Sequence, residues 1–199
     1  MSKYPLTLQK CITLFKKLPG VGNKTAERYA CQLLSWAKAE TEAFSALLGR
    51  LHEEIHPCPE CHCWMDQHRC FFCSHPGRDS TKLCILASPK DVYAIEETGA
   101  YQGLYHVLGS LLSPILGRAP QELQMSFLHE RIEKLRVQEV IIALDATVEG
   151  DATALYIKDF FKPMNIQTSR LAFGLPLGSS FDYVDGGTLA HALHSRRKF

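Results

Sequence analysis

Two short pairs, Cys58-Pro59-Glu60-Cys61 and Cys70-Phe71-Phe72-Cys73, stand eight residues apart and constrain this chain more than any other stretch. Two C-x2-C knuckles this close supply four thiolates on two tight turns, which suits a tetrahedral structural Zn2+ with no open coordination position. We expect one zinc ion per chain there, held by Cys58, Cys61, Cys70 and Cys73. The competing reading, a pair of disulfides, needs an oxidising compartment. The N-terminus Met1-Ser2-Lys3-Tyr4-Pro5 has no apolar signal core, and no apolar run is long enough for a membrane span. A cytoplasmic protein is therefore expected. Cys11, Cys31 and Cys84 sit singly on apolar patterns, as reduced core thiols do. His62, Cys63, His68 and His75 crowd the quartet and read as bystanders.

On either side of the knuckle the hydrophobic period differs. Leu8, Cys11, Ile12, Phe15 and Leu18 follow a helix face, and the turn Pro19-Gly20-Val21-Gly22 ends it. A second helix opens near Lys24 and buries Ala26, Tyr29, Ala30, Leu33 and Leu34. A third carries Phe44, Leu47, Leu48, Leu51 and Ile55, and stops before Pro57. Beyond the knuckle, strands alternate with helices. The strand runs are Leu83–Ala87, Leu104–Leu108, Val140–Leu144 and Ile166–Phe173. Ser88-Pro89-Lys90-Asp91 opens a helix with a capping box and stops at Gly99, Met125 to Leu135 marks another, and Thr153–Lys162 a third. A last helix carries Leu189, Ala192 and Leu193 ahead of a basic tail, Arg196-Arg197-Lys198. The pattern predicts an α+β multi-domain chain: helical head at 1–56, zinc knuckle at 57–76, an α/β domain with a mainly parallel sheet at 77–173, and a short C-terminal segment at 174–199.

Net charge is only +1, but its distribution is uneven. Residues 1–56 hold eight basic against five acidic side chains, while residues 85–199 hold eleven against thirteen. A mildly basic head fits contact with nucleic acid. Within it, Leu18-Pro19-Gly20-Val21-Gly22-Asn23-Lys24-Thr25 fails as a phosphate-binding P-loop, because Leu18 and Asn23 stand where glycines are required and a helix precedes. It fits a helix–hairpin–helix. That turn offers backbone amides at Gly20 and Gly22, and the positive end of the second helix, to a phosphate. Lys24 and Arg28, one helical turn apart, would add charge without reading sequence.

Asp145-Ala146-Thr147-Val148-Glu149-Gly150-Asp151 follows a buried strand and so lies at the carboxyl edge of the sheet, where open α/β sheets place ligands. The stretch resembles a degenerate Toprim domain, the fold of topoisomerases and bacterial primases. A working site of that kind has a glutamate after the first strand, then D-x-D, then E-G-[DE]. Asp145 and Glu149-Gly150-Asp151 match, whereas Thr147 replaces the second aspartate and Ala87 the glutamate. With two carboxylates gone, Mg2+ should bind weakly or not at all. The expectation is a non-catalytic chain whose Asp145, Glu149 and Asp151 serve recognition. A helix capped by these acidic residues near Thr153 is the plainer alternative.

Taken in order, the glycine turn, the quartet, Tyr93-Ala94-Ile95-Glu96-Glu97-Thr98-Gly99, Thr147-Val148-Glu149-Gly150, Gly174-Leu175-Pro176-Leu177-Gly178 and Asp185-Gly186-Gly187-Thr188-Leu189 resemble the bacterial RecR family of recombination mediators over nearly the whole chain. The resemblance implies a homotetrameric ring-shaped DNA clamp, with the helix–hairpin–helix domains facing the hole. With RecO- and RecF-type partners, such a clamp loads a RecA-type recombinase at single-stranded gaps. It would bind single- and double-stranded DNA without sequence preference. It further implies that Lys24 and Arg28 touch phosphates, and that the quartet fixes the head relative to the body. A metal-dependent nuclease, primase or topoisomerase is the alternative from another class.

Overall fold

The computed structural model describes residues 4–196 apart from 67–68, 114–116, 118, 165 and 173. His68, Phe173 and the tail residues Arg197 and Lys198, all singled out above, lie outside the described residues. The chain divides into two compact units, residues 1–54 and 55–199.

The first unit is helical: α1 Leu6–Phe15, α2 Asn23–Leu33 and α3 Lys38–Glu54. Ala26 and Ala30 are fully buried, so α2 turns its smallest side chains inward. Beside them Phe15 meets Tyr29 edge to face at 5.8 Å. The expected burial of Tyr29 and Leu34 fails: they are 45% and 74% exposed. Leu34 falls at the C-cap of α2, past the strip that a neighbouring helix can cover. On α3, Glu40 accepts from the Ala37 amide at 2.9 Å and closes the first turn. Its Leu47, Leu48 and Leu51 are also largely exposed, as expected of a unit too thin to offer a second layer.

The second unit is built on a four-stranded parallel sheet in the order β4-β3-β5-β6, from β3 Asp79–Leu86, β4 Gly103–Val107, β5 Glu139–Ala143 and β6 Gln167–Arg170. Leu83 pairs with Leu104 on one side and Val140 on the other. Alternation along β3 splits the core in two. Leu83 and Ile85 share one cluster with Leu128 and Ile132 of α5 (Met125–Leu135) and with Ile157 and Phe161 of α6 (Val148–Phe161). Cys84 and Leu86 share the other with Val92 of α4 (Pro89–Glu96) and with the cysteine knuckle. The knuckle is braced by β1 His56–Pro57 and β2 Trp64–Met65, an antiparallel pair. It thus forms the second cover of the sheet, and the Val107 amide donates to the Cys61 carbonyl at 2.8 Å.

Local signals explain most boundaries. The Ser88 amide donates to the Asp91 carboxylate at 3.0 Å, with Pro89 at the first helical position, which is the expected capping box. Four boundaries differ from expectation. The first strand of the sheet begins earlier, at Asp79 rather than Leu83. The fourth strand is shorter, at Gln167–Arg170. The closing helix α7 begins earlier, at Gly186, where Asp185 accepts from the Thr188 amide at 2.9 Å. Helix α6 starts at Val148 rather than Thr153, because Thr147 acts as its N-cap and accepts from the Gly150 amide at 3.0 Å.

Candidate metal centre and nucleic-acid contacts

Each knuckle turn is shaped by its own backbone. The Cys58 amide donates to the Cys63 carbonyl at 2.8 Å, and the His62 amide to the Cys58 carbonyl at 2.9 Å. His62 takes a left-handed φ of 60°, a conformation more accessible to His than to most residues. These turns gather Cys58, Cys61, Cys70 and Cys73 so that all four sulfurs lie within 4.8 Å of one another. Cys61 Sγ and Cys70 Sγ are 3.4 Å apart, well beyond a disulfide, and every cysteine in the chain is free. A tetrahedral ion with ~2.3 Å Zn–S bonds would set its sulfurs about 3.8 Å apart, so this spacing suits such an ion. The Glu60 amide points at Cys58 Sγ (3.4 Å) and the Cys73 amide at Cys70 Sγ (3.5 Å), donors that favour thiolates.

Four thiols this close share protons strongly. Cys58 is pulled far down and Cys61 pushed far up, each chiefly through the hydrogen bond that joins them. Cys70 settles at about 6: its bond with Cys58 raises it, and those with Cys61 and Cys73 outweigh that. Full ionisation of such a set requires a counter-charge, which a divalent cation supplies.

The neighbours that crowd the quartet have other attachments. Cys63 is buried, with its sulfur 4.0 Å from the Cys61 carbonyl. His62 Nδ1 lies 3.0 Å from the Val107 carbonyl, and its ring stacks on Phe127. His75 Nδ1 accepts from Gly77.

One residue at the centre was not singled out from the sequence. Arg131, on α5, is 3% exposed and donates to the Tyr105 carbonyl at 2.7 Å and to Cys73 Sγ at 3.5 Å. Its signal was present, since it lies three residues after Leu128 on the apolar stripe of α5. Beside it His106 is pushed down to about 3, first by burial and then by the Arg131 charge.

In the first unit, Gly20 has φ +76°, which an L side chain rarely adopts, and Gly22 is the N-cap of α2. Lys24 follows with a side chain 94% exposed, 3.6 Å from Glu27, and Arg28 is exposed one turn on. The four expected DNA-contact positions thus cluster on the turn and the first turns of α2.

At the sheet's carboxyl edge, β4 and β5 lie on opposite sides of β3, so the strand order reverses between β3 and β5. Such a switch point opens a crevice. Ala87 lies at the end of β3 and Asp145 just beyond β5, as expected. Glu149 and Asp151, expected in a loop, lie instead in the first turn of α6. Asp151 accepts from Arg170, at the end of β6, at 2.6 Å. Among the described residues, only the cysteine quartet gathers three or more metal-ligating side chains on one point, so Asp145, Glu149 and Asp151 do not form a shared cage. An open cleft of about 580 Å3 lies beside them, lined by Asp151, Ala172, Gly174, Asp185 and His191 among others.

Fold and sites together define a Toprim-type protein that carries a four-cysteine knuckle able to hold a metal ion and a helix–hairpin–helix unit. The RecR helix-hairpin-helix family matches residues 8–51, the Toprim domain residues 81–172, and the RecR C-terminal family residues 174–197. The chain is similar to the recombination protein RecR of Protochlamydia amoebophila, 51% identical over 197 residues that cover 99% of this chain and 100% of that protein. It is similar also to the recombination protein RecR of Chlamydia abortus, 47% identical over 201 residues that cover all of both chains. The chain belongs to the RecR family of recombination proteins. Among the described residues, no helix is long and apolar enough to cross a membrane.

Proposed function

We propose that this protein is a cytoplasmic, DNA-binding factor of recombinational repair. It works as a tetrameric ring-shaped clamp that, with RecO- and RecF-type partners, loads a RecA-type recombinase at single-stranded gaps. The observation that carries the DNA-binding part is the turn before α2. Gly20 and Gly22 shape it, unpaired amides open the helix, and Lys24 and Arg28 project from it into solvent. Such a site grips phosphate and is indifferent to base sequence. The quartet is read as a structural site for one Zn2+, supported by the sulfur spacing and the amide donors. Asp145, Glu149 and Asp151 are read as an acidic surface for a basic partner.

Lys24→Ala combined with Arg28→Ala should abolish DNA binding without unfolding the protein; a folded double mutant with normal DNA affinity would refute the assignment. For the clamp, release should be slow from a closed circular duplex and fast from the same DNA linearised. Equal lifetimes would remove the ring.

The Toprim match keeps a second reading in view, a metal-dependent enzyme acting on DNA. Ala87, Thr147 and the Asp151–Arg170 pair oppose it, since two of the required carboxylates are absent and a third is engaged. Cut, relaxed or extended DNA after incubation with Mg2+ or Mn2+ would establish it.

A further inference from the structure

A guanidinium stays charged inside a protein, and a buried charge is costly unless an opposite charge meets it. Arg131 is 3% exposed, yet among the described residues no carboxylate pairs with it. Its Nη1 meets the Tyr105 carbonyl at 2.7 Å and His106 Nδ1 at 3.1 Å. Facing a donor, that ring nitrogen must be the unprotonated one, so both contacts are neutral. Nε is buried without an acceptor. The one contact able to carry charge is Cys73 Sγ, 3.5 Å from Nη2. Neutral thiols, or a disulfide, would leave this cation unbalanced. A zinc tetrathiolate is a formal dianion and would balance it.

From this we infer that Arg131 is the outer-shell partner of the four-cysteine centre. It supplies counter-charge and a hydrogen bond to Cys73, and thereby strengthens metal retention. The inference rests on the zinc reading above. It assigns α5 of the Toprim-type body a direct part in holding the metal, beyond the cysteines themselves. One turn along the same helix, Lys134 pairs with Glu60 at 3.1 Å, but both are exposed and such a pair contributes little. Lys134 therefore serves as the control on the same two elements.

The test uses the full-length protein, first assayed for zinc as purified, then timed as it loses zinc to an excess of a chromogenic chelator. Arg131→Met should weaken retention about 10- to 100-fold, the usual cost of removing an outer-shell partner. Arg131→Lys should recover part of it, because the charge remains while the planar fork is lost. Lys134→Ala should match the wild type. In Co2+-substituted protein, the sulfur-to-metal charge-transfer band should move in the Arg131 variants and stay in place in Lys134→Ala, which a merely structural effect on folding would not produce. A folded Arg131→Met that keeps zinc as long as the wild type would overturn the inference. Should Arg131→Met fail to fold, an Arg131→Lys with wild-type retention and an unmoved cobalt band would overturn it equally. Wild-type protein that neither carries nor takes up zinc would instead overturn the zinc reading, and that result is scored before any variant is made.

Discussion

A methyl group added to Gly150 would lie 2.1 Å from the Asp145 carbonyl oxygen and 3.2 Å from Thr147 Oγ1. The turn into α6 is therefore closed to any residue with a Cβ, and this explains the glycine of Glu149-Gly150-Asp151 without reference to metal chemistry. Gly150→Ala should destabilise the protein by about 1–3 kcal/mol, the range for overpacking, and Thr147→Ala by about 1 kcal/mol for the lost cap. Thermal melts of the two single variants would check the order. His106 offers a pH test at the same scale. Its ordinary value of 6.5 falls to about 3 in the fold, chiefly through burial. The native state then stays unprotonated while the unfolded chain takes up a proton, so stability falls as pH drops through that window, by up to about 1.4 kcal/mol per pH unit. Urea denaturation at a series of pH values should give His106→Gln a shallower acid limb than the wild type. Parallel limbs would exclude His106 as a source. Neither role is legible in the sequence alone. His106 lies within an apolar strand, and its partner Arg131 arrives from another element, whereas Gly150 stands out in the sequence only as part of the Toprim-like Glu149-Gly150-Asp151 pattern, which says nothing of the steric need for it.

Among the elements, those with strong local punctuation were legible. The capping box at Ser88, the glycine turn at Gly20 and the paired cysteines all act through backbone hydrogen bonds within a few residues, and all fall where the spacing predicts. The start of α6 falls five residues ahead of the expected Thr153, because Thr147 followed by acidic residues is a helix-start signal as well as the pattern of a ligand loop. The exposed Tyr29 and Leu34 show another limit: periodicity reveals a helix's apolar face but not whether anything covers it. Least legible was the knuckle's place in the fold. Its bond from Val107 to Cys61 joins residues far apart in sequence, and Cys58, Cys61, Cys63, Cys70 and Phe72 complete one side of the sheet's core. It follows that zinc removal should not merely loosen a surface module. Chelation should lower the melting temperature of the whole second unit and speed amide exchange in β3 and β4. Unchanged protection in those strands would contradict the shared core.

For the molecule as a whole, DNA affinity is expected to come from few contacts per chain, repeated. Lys24 and Arg28 provide two cations from each subunit of the proposed ring. If all of them neutralise phosphates in a tetramer, the logarithm of duplex affinity should fall against the logarithm of salt with a slope of about −7. Binding titrations across a salt series would measure it. A slope near −2 would point to one subunit engaged at a time. Lys24→Ala alone, which removes one cation per subunit, should reduce the slope to about −4. The near-zero net charge of the chain gives no hint of such steepness, because the cations are local to α2 while the body carries the balancing acids.

The knuckle also has a history in time. Its cysteines are synthesised well before the helix that contacts them: Arg131 follows Cys73 by 58 residues. A nascent chain on the ribosome therefore displays all four thiols for some seconds, at about 5–20 residues per second, before β3, β4 and α5 exist to cover them. On the zinc reading proposed above, metal capture in the cell is then a race between zinc delivery and exposure to oxidants, run before the protein is complete.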